Sequence, residues 1–143
     1  MDKHVHILKL CVGAERVEDL AAWQAQARAK GPDGRPRHIT RMWPKREAEV
    51  VNGGSLYWVI KGVVLVRQKI VRFDEYIGAD GIRRCALVLD PDIHRTEALP
   101  RRAFQGWRYL EPEDAPRDLP KARATEHALP HGLELALAEI GLV

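Results

Sequence analysis

The sequence predicts a mixed α+β domain built on a small, strongly bent sheet or pseudobarrel, with about six strands and three peripheral helices. Three observations lead there. Apolar runs of strand length follow one another with only short turns between them, NGGS at 52–55 and GADG at 78–81. One run, 63–77, is long enough to bend around a barrel. Strand and helix patterns do not alternate regularly, which argues against a doubly wound sheet.

Residues 5–12 (VHILKLCV) read as a buried first strand. Residues 17–30 read as a helix, with Val17, Leu20, Ala21, Trp23 and Ala27 on one stripe. Glu18 and Asp19 fall in its first turn, where the helix dipole favours acid. GPDGRP (31–36) stops it with two glycines and two prolines. HITRMW (38–43) reads as a short strand and PKREAEVV (44–51) as a short helix with Pro44 in first position. SLYWVIK (55–61) alternates, so that Leu56, Trp58 and Ile60 share one face and Tyr57, Val59 and Lys61 the other. Gly62 turns the chain into 63–77, and IRRCALVLD (82–90) returns beyond the GADG hairpin. A polar stretch after Pro91 leads to FQGWRYL (104–110), the last strand. Residues 111–130 carry four prolines and predict a surface arm without regular structure. Residues 131–143 predict a C-terminal helix with Leu133, Leu137 and Ile140 on one stripe. The chain is thus one domain over 1–143, its barrel and first helices within 1–110.

A length of 143 residues with 45% hydrophobic and 30% charged residues fits one globular core. No apolar run reaches membrane-spanning length, and the first residues lack the apolar core and cleavage site of a secretion signal. Cys11 and Cys85 lie apart in apolar runs and read as buried thiols, so the expected location is the cytoplasm. The net charge of +3 is unevenly placed: residues 35–108 hold 15 Lys and Arg against 8 Asp and Glu, and the remainder holds 8 against 12. A basic centre with acidic flanks favours an anionic partner.

Catalytic patterns are sparse, and no catalytic residue, metal or other cofactor is expected. His4 and His6 share one strand face, but no further ligands stand at zinc spacing. Ser55 is the only serine and lies outside a nucleophile elbow. Neither phosphate-binding glycine fingerprint occurs, and Asp90 and Asp92 flank Pro91 in what reads as a turn. One alternative survives from this search: a small-anion receptor or small enzyme built on the Asn52–Ser55 turn and nearby cations, since such a turn can cradle an anion through backbone N–H groups.

The constellation favoured is a nucleic-acid surface. Lys45 and Arg46 would occupy the first turn of the 44–51 helix, against the dipole, and with Arg41 would form a phosphate site at its N-terminus. Trp43, Trp58 and Trp107 each lie within three residues of a cation: Lys45, Lys61 and Arg108. Tryptophan interleaved with Arg and Lys suits base stacking beside phosphate pairing. Tyr57 and Trp58 point to opposite faces, so one of them should face outward or line a cavity. Gln105 shares a face with Trp107 and Tyr109 and, with Gln68, offers an amide for a base edge, while Arg101 and Arg102 extend the basic patch.

The phrases HILKLCVG, HITRMWPKR, GGSLYWVIKG, LVLDP and AFQGWRYLEPEDAP closely resemble an uncharacterised family of short alphaproteobacterial proteins known only as a domain of unknown function. The order of HILKLCVGAERVEDL, TRMWPKREAEVV, NGGSLYWVIKG and VVLVRQKIVRF also resembles, more faintly, the EVE domain of the PUA-like superfamily. That resemblance implies a PUA-like pseudobarrel binding RNA or modified DNA bases in a pocket beside a basic surface. It implies site roles for Lys9, Arg41 and Trp58 or Tyr57. Gly54-Ser55 stands where that family has Gly-Asp, and Trp43-Pro44 replaces a polar pair. The expected partner is therefore RNA or a modified nucleotide, with no membrane role and no oligomeric state implied.

Overall fold

In a computed structural model that describes residues 3–120, the chain forms an open, bent, seven-stranded sheet with two short α-helices. The strands are β1 (His6–Leu10), β2 (Arg37–Thr40), β3 (Ser55–Ile60), β4 (Val63–Ile77), β5 (Arg83–Leu89), β6 (His94–Pro100) and β7 (Trp107–Leu110). The helices are α1 (Val17–Gln24) and α2 (Glu47–Val51). The sheet runs β2-β5-β4-β3-β1-β7, and β6 pairs separately with β4. β1 and β3 are parallel, joined by the segment that carries both helices and β2; the other pairs are antiparallel.

Alternation along β1 and β3 builds two cores, one on each face. Ile7, Leu56, Trp58 and Ile60 face the larger core with Leu20, Ile70, Leu87 and Trp107. Leu8, Tyr57 and Val59 face a smaller one with Val64 and Leu110. β3 is therefore buried along its whole length, as its unbroken apolar run requires. Lys61 and Gly62 close the β3–β4 hairpin with φ of 51° and 80°. Positive φ at both central residues matches the twist of the flanking strands, and Lys61 carries a left-handed conformation that costs a side-chain residue about 1 kcal/mol.

The structure departs from the sequence-based expectation at several elements. β6 adds a seventh strand inside the polar stretch after Pro91; only Thr96 of it is buried, so it shows no apolar alternation. α1 stops at Gln24, and a separate 3-10 turn (Ala27–Ala29) seats Ala29 in the interior, overriding Ala-rich helix propensity. Val17, Leu20 and Gln24 form its buried face, while Ala21, Trp23 and Ala27 are exposed. α2 begins at Glu47, three residues beyond Pro44, and its first turn carries Glu47 and Glu49. The expected clash of Lys45 and Arg46 with the helix dipole is therefore absent, and a five-residue helix supplies no N-terminal phosphate site. β7 begins at Trp107, so Gln105 precedes the strand, in a bend, and does not share its alternation. The expected C-terminal helix at 131–143 and the later part of the proline-rich arm lie outside the described residues. Within them, that arm has a 3-10 turn (Pro112–Asp114) and a single bridge from Asp118 to Thr96.

The sheet path ends at β2 on one side and β7 on the other. Two side-chain hydrogen bonds cross from the segment after β2 to β7. The Trp107 indole N–H donates to the Met42 carbonyl at 2.9 Å, and the Arg46 backbone N–H donates to the Tyr109 hydroxyl at 3.0 Å.

Candidate functional site

The C-terminal end of β1 and the inner face of the sheet line a half-open cavity of about 430 Å³. Its wall is formed by Leu10 at the end of β1 and Cys11–Ala14 after it, by Asp19, Leu20 and Trp23 of α1, by His38 of β2 and by Trp58 of β3. Lys9 reaches it by strand alternation, because it follows Ile7 on the core-facing side of β1. In the ladder Lys9 lies between Trp58 and Trp107. Its ammonium has one weak acceptor, the Leu10 carbonyl at 3.5 Å, and burial holds its pKa below the ordinary lysine range.

Trp58 is held by a buried amide network. Its indole N–H donates to Gln68 Oε1 at 2.8 Å, and Gln68 exchanges two hydrogen bonds with Gln24, at 2.7 and 2.8 Å. Gln68 Nε2 also donates to the Asp90 carbonyl at 3.1 Å. All four hydrogen-bonding positions of the Gln68 amide are thereby filled. It lies at 0% exposure and orients Trp58, with no edge left for a base.

His38 meets the Trp58 ring edge-on at a centroid distance of 5.5 Å. Its Nε2 is buried without a hydrogen-bond partner. Burial first, and the Lys9 charge second, push its pKa down to about 4, so the ring is neutral at pH 7. Cys11 lines the same wall, half-buried beyond the end of β1, where burial pushes its thiol up to about 11. Cys85 is buried in β5 and likewise pushed up to about 12, which leaves both as thiols at neutral pH.

Cations gather beside this end of the sheet. Lys61 sits at the β3–β4 turn, and the Arg101 N–H donates to the Gly62 carbonyl at 2.8 Å, which fixes the Arg101–Arg102 segment next to it. Arg108 lies over the Phe104 ring and donates to the Gln105 and Trp107 carbonyls. Met42 rests against Gly106, bringing Arg41 toward the same loops. Arg41, Lys61, Arg101, Arg102 and Gln105 are exposed. The ion pairs of the described residues instead engage Arg46, Arg67, Arg72, Arg83, Arg84 and Arg95, among others.

Other expected site residues lie elsewhere. Arg46 pairs with Glu49 at 2.7 Å and Glu111 at 2.9 Å, its guanidinium over the Tyr109 ring. Lys45 is exposed beside it. Trp43 stacks edge-on against Phe73, donates to Glu47 and carries Arg83 over its ring. Trp107 is buried, 6% exposed. Ser55 and Tyr57 line a second, polar cleft of about 360 Å³ with His4, His6, Arg67 and Asp118. There the Gly54 N–H is spent on the Val50 carbonyl and the Ser55 N–H on His6 Nδ1, while the Ser55 hydroxyl accepts from Arg67. An anion held by the Gly54 and Ser55 N–H groups would have to displace the first two bonds. Sequence reasoning missed His38 and Trp23 as cavity residues. Strand alternation could have placed His38 on the inner face; Trp23 carried no such signal.

His6 is pushed down to about 4, by burial first and then by the charges of His4 and Arg67. Both His6 and His38 thus have folded-state values below the 6.5 of an unfolded histidine. Between these limits the unfolded chain binds two protons that the folded chain refuses. Stability is expected to hold above pH 6.5 and to fall as pH drops toward 4, the urea midpoint declining across that window. His6→Gln and His38→Gln should each flatten the slope; a midpoint constant from pH 7 to 4 would refute the assignment.

A family model described as a protein of unknown function (DUF1489) matches residues 7–143. No curated protein matches the chain, and no solved structure does. No helix among the described residues is long and apolar enough to cross a membrane.

Proposed function

Because the chain belongs to the DUF1489 family, whose description carries no activity, its role has to be read from its own residues, and we propose that it binds single-stranded nucleic acid, RNA or a modified nucleotide, with one base entering the β1-end cavity. The observation that carries this reading is the meeting of Lys9, Trp58 and His38 in one apolar-walled cavity beside a cluster of exposed cations. A volume of about 430 Å³ is of the order that small-molecule sites occupy. The exposed Trp23 at the wall offers a stacking face, and Lys61, Arg101, Arg102 and Arg108 supply backbone contacts. A bent sheet bearing a pocket beside basic loops also agrees with the PUA-like resemblance. The proposed role is binding without catalysis.

Phosphate contacts release counterions, so log affinity should fall linearly with log salt, by about 0.7 per contact on a single strand. Arg101→Ala/Arg102→Ala is expected to lower affinity and reduce that slope by roughly 1 to 1.5, two contacts' worth. Fluorescence anisotropy of a labelled RNA decamer across a salt series measures both. Absence of binding to any RNA or DNA at low salt would end this reading.

A further inference from the structure

We infer that the β1-end cavity selects an imide edge, the carbonyl, N–H, carbonyl face shared by uracil and thymine, over adenine and cytosine. The inference rests on the nucleic-acid reading and names which bases the site takes. Two polar groups reach the cavity with hydrogen-bonding capacity unspent: the Lys9 ammonium, whose one acceptor is at 3.5 Å, and His38 Nε2, buried with no partner. Among the remaining polar neighbours, Asp19 Oδ2 accepts the backbone N–H groups of Glu15 and Arg16 at the start of α1 while its Oδ1 lies 3.9 Å from Arg16 Nη2, and the Trp58 indole N–H is taken by Gln68. Trp58 therefore presents only its ring. The cavity offers three N–H donors from Lys9, one imidazole nitrogen and apolar walls.

That inventory calls for a planar, uncharged ligand with a carbonyl for Lys9. It also calls for a group that satisfies His38 whichever ring nitrogen carries the proton. An imide does both. One carbonyl accepts from Lys9; the central N–H donates to Nε2 if that atom is bare, and a carbonyl accepts from it if it bears the hydrogen. Adenine has no carbonyl and would bring its amino N–H groups toward an ammonium. Cytosine has a carbonyl but no N–H beside it. A phosphate inside would lose its hydration against mostly apolar walls, so phosphates belong outside with Lys61, Arg101 and Arg102.

The test compares labelled decamers of U, dT, A and C binding to the full chain at one low salt concentration, with uridine and 3-methyluridine as competitors. U and dT decamers are expected to bind about tenfold more tightly than A, the effect of a hydrogen bond to a charged donor. Uridine should compete, and 3-methyluridine, whose imide N–H is blocked, should not. Lys9→Met and His38→Phe keep side-chain bulk and should each erase the preference and weaken U and dT binding toward the level of A; a thermal melt shows that each variant folds. A difference between U and dT decamers separates RNA from DNA as the source of the edge. Equal affinity for all four decamers overturns the imide inference and leaves nucleic-acid binding standing. Uridine binding with no decamer bound overturns the nucleic-acid reading and leaves the imide pocket. Binding of neither overturns both.

Discussion

Gly54→Ala is expected to destabilise the fold by about 3 kcal/mol, the upper end of what overpacking costs. A Cβ at position 54 would run into the carbonyl oxygens of Val5 and Val50, both main-chain atoms. Neither carbonyl can swing aside as a flexible side-chain tip would. The Val50 carbonyl accepts the Gly54 N–H at 2.8 Å as α2 ends, and Val5 is held by its own N–H to the Glu49 carbonyl at 3.2 Å. The close approach lets the chain pass from α2 into β3 while β1 lies alongside in parallel register, Ile7 opposite Leu56. For a chain of this length the cost corresponds to a melting temperature lower by roughly 10 °C. Urea unfolding at pH 7 measures it directly; a loss below about 1 kcal/mol would mean that α2 and β1 separate more easily than their contacts imply. The change should also disturb ligand binding, because β1 and β3 carry Lys9 and Trp58.

Gln68→Leu is the second large effect, expected to cost about 3 to 5 kcal/mol as several buried polar groups lose partners worth roughly 1 to 3 kcal/mol apiece. The Trp58 N–H, the Asp90 carbonyl and both ends of the Gln24 amide depend on this one side chain. Gln24→Leu alone removes one partner of the pair and leaves Gln68 with two of its four bonds. Gln24→Leu/Gln68→Leu should therefore be less damaging than the sum of the single changes, since it removes the orphaned amides together. Urea unfolding of the three variants gives the coupling, and strict additivity would show that the two amides are independent. Near-ultraviolet circular dichroism should register loss of the fixed Trp58 orientation in Gln68→Leu.

The β4–β5 hairpin was legible because its signals were local. A long apolar run, a Gly-Ala-Asp-Gly turn and a second apolar run place Val63–Ile77 and Arg83–Leu89 close to where they lie. β6 was illegible because HRTEALP buries one residue and owes its conformation to β4 on one side and the Thr96–Asp118 bridge on the other. Lys45 and Arg46 oppose the helix dipole only if the helix starts at Pro44, and it starts at Glu47. The Tyr109 hydroxyl, 63 residues away, takes the Arg46 N–H and sits where the helix begins. Gln68 carried the deeper ambiguity. A lone amide in an apolar strand looks alike whether it reads a ligand or answers another amide, and its partner Gln24 is 44 residues distant. At the candidate site, the cations around Lys61 and Arg101 were visible as composition. The cavity itself was not, because it depends on α1 turning Trp23 outward and on β2 turning His38 inward.

The seam between β2 and β7 sets the order in which the molecule loosens. It is crossed by two side-chain hydrogen bonds, from Trp107 to Met42 and from Arg46 to Tyr109. The first half of β4 is instead laddered on both sides, by β3 and β6. Amide protons along the outer edges of β2 and β7 are therefore expected to exchange with solvent through small local openings, while those of Val64 and Val66 should wait for global unfolding. Slow exchange there would mark the β3–β4–β6 centre as the last part of the sheet to come apart. Fast exchange at the seam would mark it as the place where the bent sheet widens first, without breaking the ladder that holds Lys9 beside Trp58.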